Sequence, residues 1–323
     1  MKVLVTPRSF GKSNPDLFSQ LEALGFEVVK NDTGAILSED AICDKIADCE
    51  AVILGVDPFN KRVVDSAKKL RAIARYGVGL DNVDLEACKA RGIKVTRTVG
   101  ANSNAVADYA FGLMLAVARK IPAIDAKCRA KDWSKNTGID VFGKIIGIVG
   151  LGAVGKCVAR RAAGFGMTIL AADPYFDENF AKSLGIVRAT PDEIFAKADF
   201  VSLHTLLTEE TKQLVNAERI ALMKKTAILI NTARGGLVDD NALFQAVQSG
   251  KLLGAGLDGV EREPLQPNDE LFTNDNIIVT PHVGGGTADI GEAILPMLVE
   301  DIRRYLSGEN PLFVVNRQYL SEQ

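Results

Sequence analysis

From its second residue the chain alternates short apolar runs with longer stretches of helical periodicity, and it does so in two successive series. KVLV, FEVVK, AVILG, RAIARY and IKVTRT form the first, separated by stretches such as PDLFSQLEAL and VDLEACKARG whose apolar residues recur at helical spacing. KIIGIVG, MTILAAD, DFVSLH, TAILINT, LLGAGLDGV and NIIVTP form the second. Strands joined by crossover helices pair in parallel, and a parallel sheet is covered on both faces. The pattern therefore predicts an α/β chain of two doubly wound parallel-sheet domains, which suits 323 residues better than one core. Between the series lies VADYAFGLMLAVARKI, expected to be a long apolar helix crossing from one domain to the other. EAILPMLVEDIRRYLSGE is expected to pack back on the first domain, making it discontinuous: 1–100 plus 290–323, around a second domain at 101–289.

Charge and cysteine usage narrow the function. A formal net charge of -3 carries no basic excess, so neither nucleic acid nor an anionic membrane surface is an expected partner, and any anion must be bound locally. The five cysteines (Cys43, Cys49, Cys88, Cys128, Cys157) form no C-x-x-C pair, which argues against a disulfide framework and against a structural metal site. They read as reduced core residues of a cytoplasmic protein. MKVLVTPRSFGK is too short an apolar start for a signal peptide, and no stretch reaches the roughly 18 apolar residues of a membrane span. Gly11-Lys12-Ser13 resembles the end of a P-loop but lacks the glycine five positions before the lysine, so a surface turn is expected there.

GLGAVG, at residues 150–155, follows the strand KIIGIVG and opens the helical stretch KCVARRAAGFG, the context a dinucleotide site requires. Gly150 permits the tight turn, Gly152 lets the backbone approach a pyrophosphate, and Gly155 allows close helix packing, with the helix N-terminus toward the phosphates. About 20 residues further on, the next strand ends in Asp173. A carboxylate there accepts ribose hydroxyls of NAD and repels the extra phosphate of NADP.

Any imidazole proton transfer must use His204 or His282, the only two histidines. Both follow apolar strand runs, DFVSLH and IIVTPH, at the carboxyl edge of the second sheet, where open α/β sheets bind ligands. Nearby strand ends carry Arg234, in NTARGGLVDD, then Asp258 and, five residues later, Glu263. If these loops converge, Arg234 can hold a carboxylate with its planar fork, His282 can exchange a proton with an alcohol, and Glu263 can bond the far imidazole nitrogen.

ARYGVGLDNVDLEACKARGI, VGANSNAVADYAFGLML, GIVGLGAVGK, INTARGGLVDDNAL, GAGLDGVEREPL and TPHVGGGT, in this order and over nearly the whole chain, resemble the NAD-dependent D-2-hydroxyacid dehydrogenases, the phosphoglycerate dehydrogenase branch most closely. The resemblance implies a Rossmann cofactor domain inserted into a flavodoxin-like substrate domain, with the active site in the cleft between them. It implies Arg234 as carboxylate clamp, Glu263 as orienter of His282, His282 as general acid/base, and amides around Val78 and Gly79 as a second anion cradle. NAD contacts are implied for Ala153, Val154, Asp173, Thr205, Thr232, Ala233, Asp258 and Gly284, while His204 falls in the cofactor loop. The implied reaction interconverts 3-phosphoglycerate and 3-phosphohydroxypyruvate in serine biosynthesis. Alternatives are a hydroxypyruvate or glyoxylate reductase and, from another class, an NAD(H)-sensing corepressor-like binding protein. Relatives pair through their cofactor domains, so a homodimer is expected. Three positions depart from the family pattern: Arg97-Thr98-Val99 replaces N-T-P, Asp258-Gly259-Val260 replaces D-V-F, and Gly55 stands where animal-type members carry an arginine for the substrate phosphate. Lys135 and Arg97 are the cations left to replace that arginine.

Overall fold

Each apolar run of the first series forms a strand: β1 (Lys2–Val5), β2 (Glu27–Lys30), β3 (Ala51–Leu54), β4 (Ala72–Arg75) and β5 (Lys94–Arg97). In the computed structural model, which describes residues 1–12 and 14–315, they pair in parallel in the order β2-β1-β3-β4-β5. β3 and β4 are buried at every position because helices cover both faces, whereas the edge strand β2 is partly exposed. One face packs Ile42, Ile46, Val63, Val64 and Cys88 from three short helices, each started by a side-chain cap from Ser38, Asn60 or Asp84. The other face packs Leu17 and Leu21 with Ile294, Leu298 and Ile302 of the helix Ile290–Leu306. This first unit comprises Met1–Asn102 and the segment from Thr287 onward. Gly11 and Lys12 lie in a turn, and Ser13 and residues 316–323 lie outside the described residues.

The second unit, Ser103–Gly286, holds β6 (Ile145–Val149), β7 (Thr168–Ala172), β8 (Val187–Arg188), β9 (Phe200–Leu203), β10 (Ile228–Asn231), β11 (Gly254–Leu257) and β12 (Ile277–Val279). Their order is β12-β11-β10-β9-β6-β7-β8, all parallel. The order reverses between β6 and β9, the topological switch point at which such sheets bind ligands. β8 escapes the sequence pattern because it is only two exposed residues at an edge.

The long apolar helix, Ser103–Arg119, does not cross between units: it lies wholly in the second, burying Ala107, Ala110, Leu113, Met114 and Val117 against Ile146, Ile148, Ile228 and Ile230. It ends at Lys120, whose left-handed backbone (φ 54°) starts a separate helix, Ile121–Arg129, none of whose residues is buried. That helix explains why the cysteines are not all core residues. Cys49, Cys88 and Cys157 are buried and Cys43 half-buried, but Cys128, on the uncovered helix, is exposed. No helix among the described residues is long and apolar enough to cross a membrane.

Candidate active site

Three neighbouring strands of the second sheet end together. β10, β11 and β12 run parallel with Asn231 opposite Leu257 and Leu257 opposite Val279, so the chain leaves one sheet edge after each of them at points about 4.8 Å apart. Arg234, Asp258 and His282 are delivered to the same stretch of edge by register. A buried amide then shapes the loops: Asn231 accepts the Ala233 N–H on Oδ1 (3.1 Å) and donates from Nδ2 to the carbonyls of Arg234 (2.8 Å) and Gly259 (3.3 Å). A Cβ on Gly235 would sit 1.9 Å from the Val260 carbonyl, so only glycine lets these two backbones touch. At Gly236 a Cβ would meet only the flexible Leu207 side chain, at 3.0 Å. Of the two glycines after the arginine, the first is the obligatory one. Arg234 itself is extended and half-buried, one Nη donating to the Ala233 carbonyl at 2.8 Å.

His282 is held from two sides. Asp258, 2% exposed, accepts the Thr280 hydroxyl (2.7 Å) and the Val283 amide (2.9 Å) on Oδ1, and the Gly284 amide (2.7 Å) on Oδ2. These bonds fix the turn in which His282 takes a left-handed backbone, φ 54°. From the other side both oxygens of Glu263 approach His282 Nδ1, at 3.0 and 3.2 Å, while Oε1 also accepts the Val260 amide at 3.3 Å. Both side chains are 41% exposed, so the pair adds at most about 1 kcal/mol to stability and its value is orientation. With Nδ1 engaged, Nε2 is the nitrogen left for a reacting group.

His204 has a different environment. Its amide donates to the Val149 carbonyl, its Nε2 lies 2.8 Å from Ser202 Oγ, and desolvation pushes the imidazole down to about 3. A ring that stays neutral at every working pH cannot deliver a proton.

The glycine loop sits beside it. Gly150 has φ 98°, and a Cβ there would fall 2.6 Å from the His204 backbone and 2.7 Å from the Thr205 amide nitrogen. A Cβ on Gly155 would come 2.0 Å from the Gly150 carbonyl oxygen, whereas one on Gly152 would meet no atom within 4 Å. Space is thus open where a phosphate would approach the helix Ala153–Gly164, which Ala153 and Val154 begin. Asp173, at the end of β7, accepts the amides of Leu151 (2.6 Å) and Tyr175 (2.7 Å), which pins its carboxylate next to this loop. Thr232 Oγ1 is buried without a hydrogen-bond partner, a polar atom for a bound molecule to satisfy.

The family model described as D-isomer specific 2-hydroxyacid dehydrogenase, NAD binding domain, matches residues 111–284. The chain belongs to this family. As an NAD-dependent D-2-hydroxyacid dehydrogenase it is 40% identical over 288 residues to a glyoxylate reductase of Korarchaeum cryptofilum, covering 87% of each chain. It is 38% identical over 327 residues to a D-3-phosphoglycerate dehydrogenase of Methanocaldococcus jannaschii, covering 100% of this chain and 61% of that one. A D-lactate dehydrogenase of Lactobacillus jensenii solved with NAD+ superimposes with a TM-score of 0.82 at 27% identity, covering 98% of this chain and 100% of that one. The glycine loop, the pinned Asp173 and the orphaned Thr232 hydroxyl fit NAD as the dehydrogenase's cofactor.

Other site residues expected from sequence are placed less tightly. Lys135 is exposed between the helix Ile121–Arg129 and β6, with no hydrogen bond or ion pair among the described residues. Arg97, half-buried at the end of β5, belongs with Val78 and Gly79 to the first unit. Sequence reasoning missed Arg75. Its guanidinium, in a residue 7% exposed, donates to the carbonyls of Gly79 (2.8 Å), Tyr76 (2.6 Å) and Leu54 (3.2 Å), gathering the loop that carries Val78. A lone arginine closing the apolar run RAIAR was the available signal. Asn231 was missed as well, although a buried amide at a strand end must find partners and so shapes the adjoining loop.

Proposed function

We propose that the enzyme reduces a small, unphosphorylated 2-oxo acid, glyoxylate or hydroxypyruvate, to the corresponding 2-hydroxy acid. Arg234 binds the carboxylate through its fork. His282 gives the proton at Nε2 to the carbonyl oxygen as it becomes an alcohol, and Glu263 at Nδ1 keeps the ring from turning and balances its charge. NADH, when bound, supplies the hydride that reaches the substrate carbon. The exposed face of His282 then recovers a proton from water.

The observation that carries the choice of substrate is Gly55. A Cβ there would lie 2.8 Å from Asp57 Oδ2 and 3.1 Å from the Pro7 Cα, so the position has no room for a phosphate-binding arginine. The Asp57 carboxylate beside it is buried, accepting the Thr6 hydroxyl (2.5 Å) and the Leu37 amide (2.8 Å), and would repel a dianion. Lys135, with nothing holding its side chain, is a weak replacement. The second reading, reduction of 3-phosphohydroxypyruvate in serine biosynthesis with Arg97 or Lys135 on the phosphate, is favoured by the match of the entire chain to a phosphoglycerate dehydrogenase. NADH oxidation with the three 2-oxo acids decides between them. The unphosphorylated acids should lead in kcat/KM by at least about tenfold, the worth of one missing charge-assisted hydrogen bond. The reverse order returns the second reading.

The same reading takes the enzyme to be a cytoplasmic homodimer that pairs through the NAD-binding unit. Trp133 (83% exposed), Phe142 (75%) and Ile121 (54%) lie on or after the uncovered helix of that unit and are the apolar side chains such a pairing would cover. Sedimentation equilibrium at micromolar concentration should give twice the chain mass, and a monomer there rejects the pairing.

A further inference from the structure

Asp240 opens the helix Asp240–Gln248, three residues after the turn Gly235–Leu237 that follows Arg234. Its Oδ2 accepts the backbone amide of Glu261 at 2.8 Å, and Glu261 lies in the turn between Asp258 and Glu263. This side chain therefore ties the segment carrying Arg234 to the segment carrying Glu263, at the place where Gly235 and Val260 already touch backbone to backbone. Its other oxygen, Oδ1, is buried with no hydrogen-bond partner. The helix is already capped by Asp239, which accepts the Ala242 amide at 2.9 Å, so capping does not account for Asp240.

We infer that Asp240 is a positioning residue of the acid–base site, holding the Val260–Glu263 turn through the Glu261 amide so that Glu263 meets His282. The inference rests on the roles proposed above for Glu263 and His282. Burial pushes the Asp240 carboxyl up to about 6, and the charges acting on it, Glu261 and Asp269 from the neighbouring loop and Asp239 from its own helix cap, are all acidic. The fold thus keeps a half-buried acid among acidic neighbours with one oxygen unsatisfied among the described residues. The bond to Glu261 is what that side chain contributes in return, an acceptor oxygen placed at 2.8 Å on a backbone N–H of the neighbouring turn. Release of the Glu261 amide would let the turn relax and draw Glu263 from Nδ1, leaving the protonated ring without its counter-charge.

The test uses the whole chain with Asp240→Ala and Asp240→Asn. Asparagine keeps an acceptor oxygen for the Glu261 amide, and alanine does not. The alanine variant should lose about 3- to 30-fold in kcat for the 2-oxo acid, more at pH 8 than at pH 6, with NADH affinity unchanged, and asparagine should restore the rate to within about twofold. A readout independent of turnover comes from imidazole NMR, which has only two histidines to resolve. In the alanine variant the His282 signals should titrate at lower pH than in the wild type, and in the asparagine variant they should not. If alanine does not fold, Asp240→Ser, too short to reach Glu261, takes its place. Wild-type titration and rate in a folded alanine or serine variant overturn the inference, and so does a loss that asparagine fails to rescue. His282→Ala separates the two levels: if it too retains full activity, the acid–base reading itself is wrong, whereas a dead His282→Ala beside an unaffected Asp240→Ala rejects Asp240 alone.

Discussion

His204 and His282 each follow a buried strand of one parallel sheet, yet only one of them can carry a proton. The ring of His204 is desolvated beside Ser202 and the glycine loop, and its imidazole is pushed down to about 3. His282 stands 41% exposed, its turn braced by Asp258 and its Nδ1 faced by both oxygens of Glu263. Identical side chains at equivalent strand ends acquire opposite proton chemistry from what their neighbours offer: a hydroxyl and low dielectric in one loop, a carboxylate and water in the other. The desolvated ring suits a loop that receives a cofactor, and the exposed ring suits a residue that exchanges protons with water.

The sharpest way to break this contrast is to remove each ring in turn. His282→Ala should lower kcat by roughly 10²- to 10⁴-fold with NADH affinity nearly normal, while His204→Asn leaves kcat within about threefold. Steady-state rates with NADH binding measured by fluorescence check both, and an equal or reversed loss dissolves the distinction. A smaller effect tests what the carboxylate adds. Glu263→Gln should leave reduction at pH 6 within about threefold of wild type but cost up to about tenfold at pH 8, because a neutral amide supports the protonated ring less well. A pH profile superimposable on the wild type would make Glu263 a turn residue only.

The least effect is expected in stability, from the other histidine. The folded His204 ring is pushed to about 3 while an unfolded imidazole titrates near its ordinary value of 6.5, so between these values the unfolded chain binds more protons. Stability contributed by the neutral ring is complete above pH 6.5 and is lost as the pH falls toward 3. Wild type should therefore lose more of its thermal midpoint between pH 7.5 and pH 5 than His204→Asn does. Parallel losses in the two proteins would mean that the ring is solvated.

Much of this architecture is written in local pattern. Eleven apolar runs read from sequence are strands here, because parallel strands covered by helices need short continuous apolar runs, and the one longer run, in the helix Ser103–Arg119, is set apart by its length. The glycine loop between β6 and its helix was legible for a similar reason: a tight turn, a close approach and a packed helix each demand glycine at a defined spacing. The two-residue strand β8 and the break at Lys120 were not, since an edge pair carries no periodicity and a single left-handed residue leaves an apolar run uninterrupted.

At the strand ends the division is sharper. The order of residues along the chain determined that an arginine, two acids and a histidine would come after neighbouring strands, and their family pattern named the pair Glu263 and His282. Tertiary structure alone decided which histidine is wet, that Gly235 rather than Gly236 is the obligatory glycine, that Gly55 has no room for an arginine, and that Asn231, Arg75 and Asp240 fasten the loops. Each of these depends on a contact between segments distant in sequence, on desolvation, or on a backbone approach measured in tenths of an ångström. Such quantities belong to the packed chain, and no spacing of residue types encodes them.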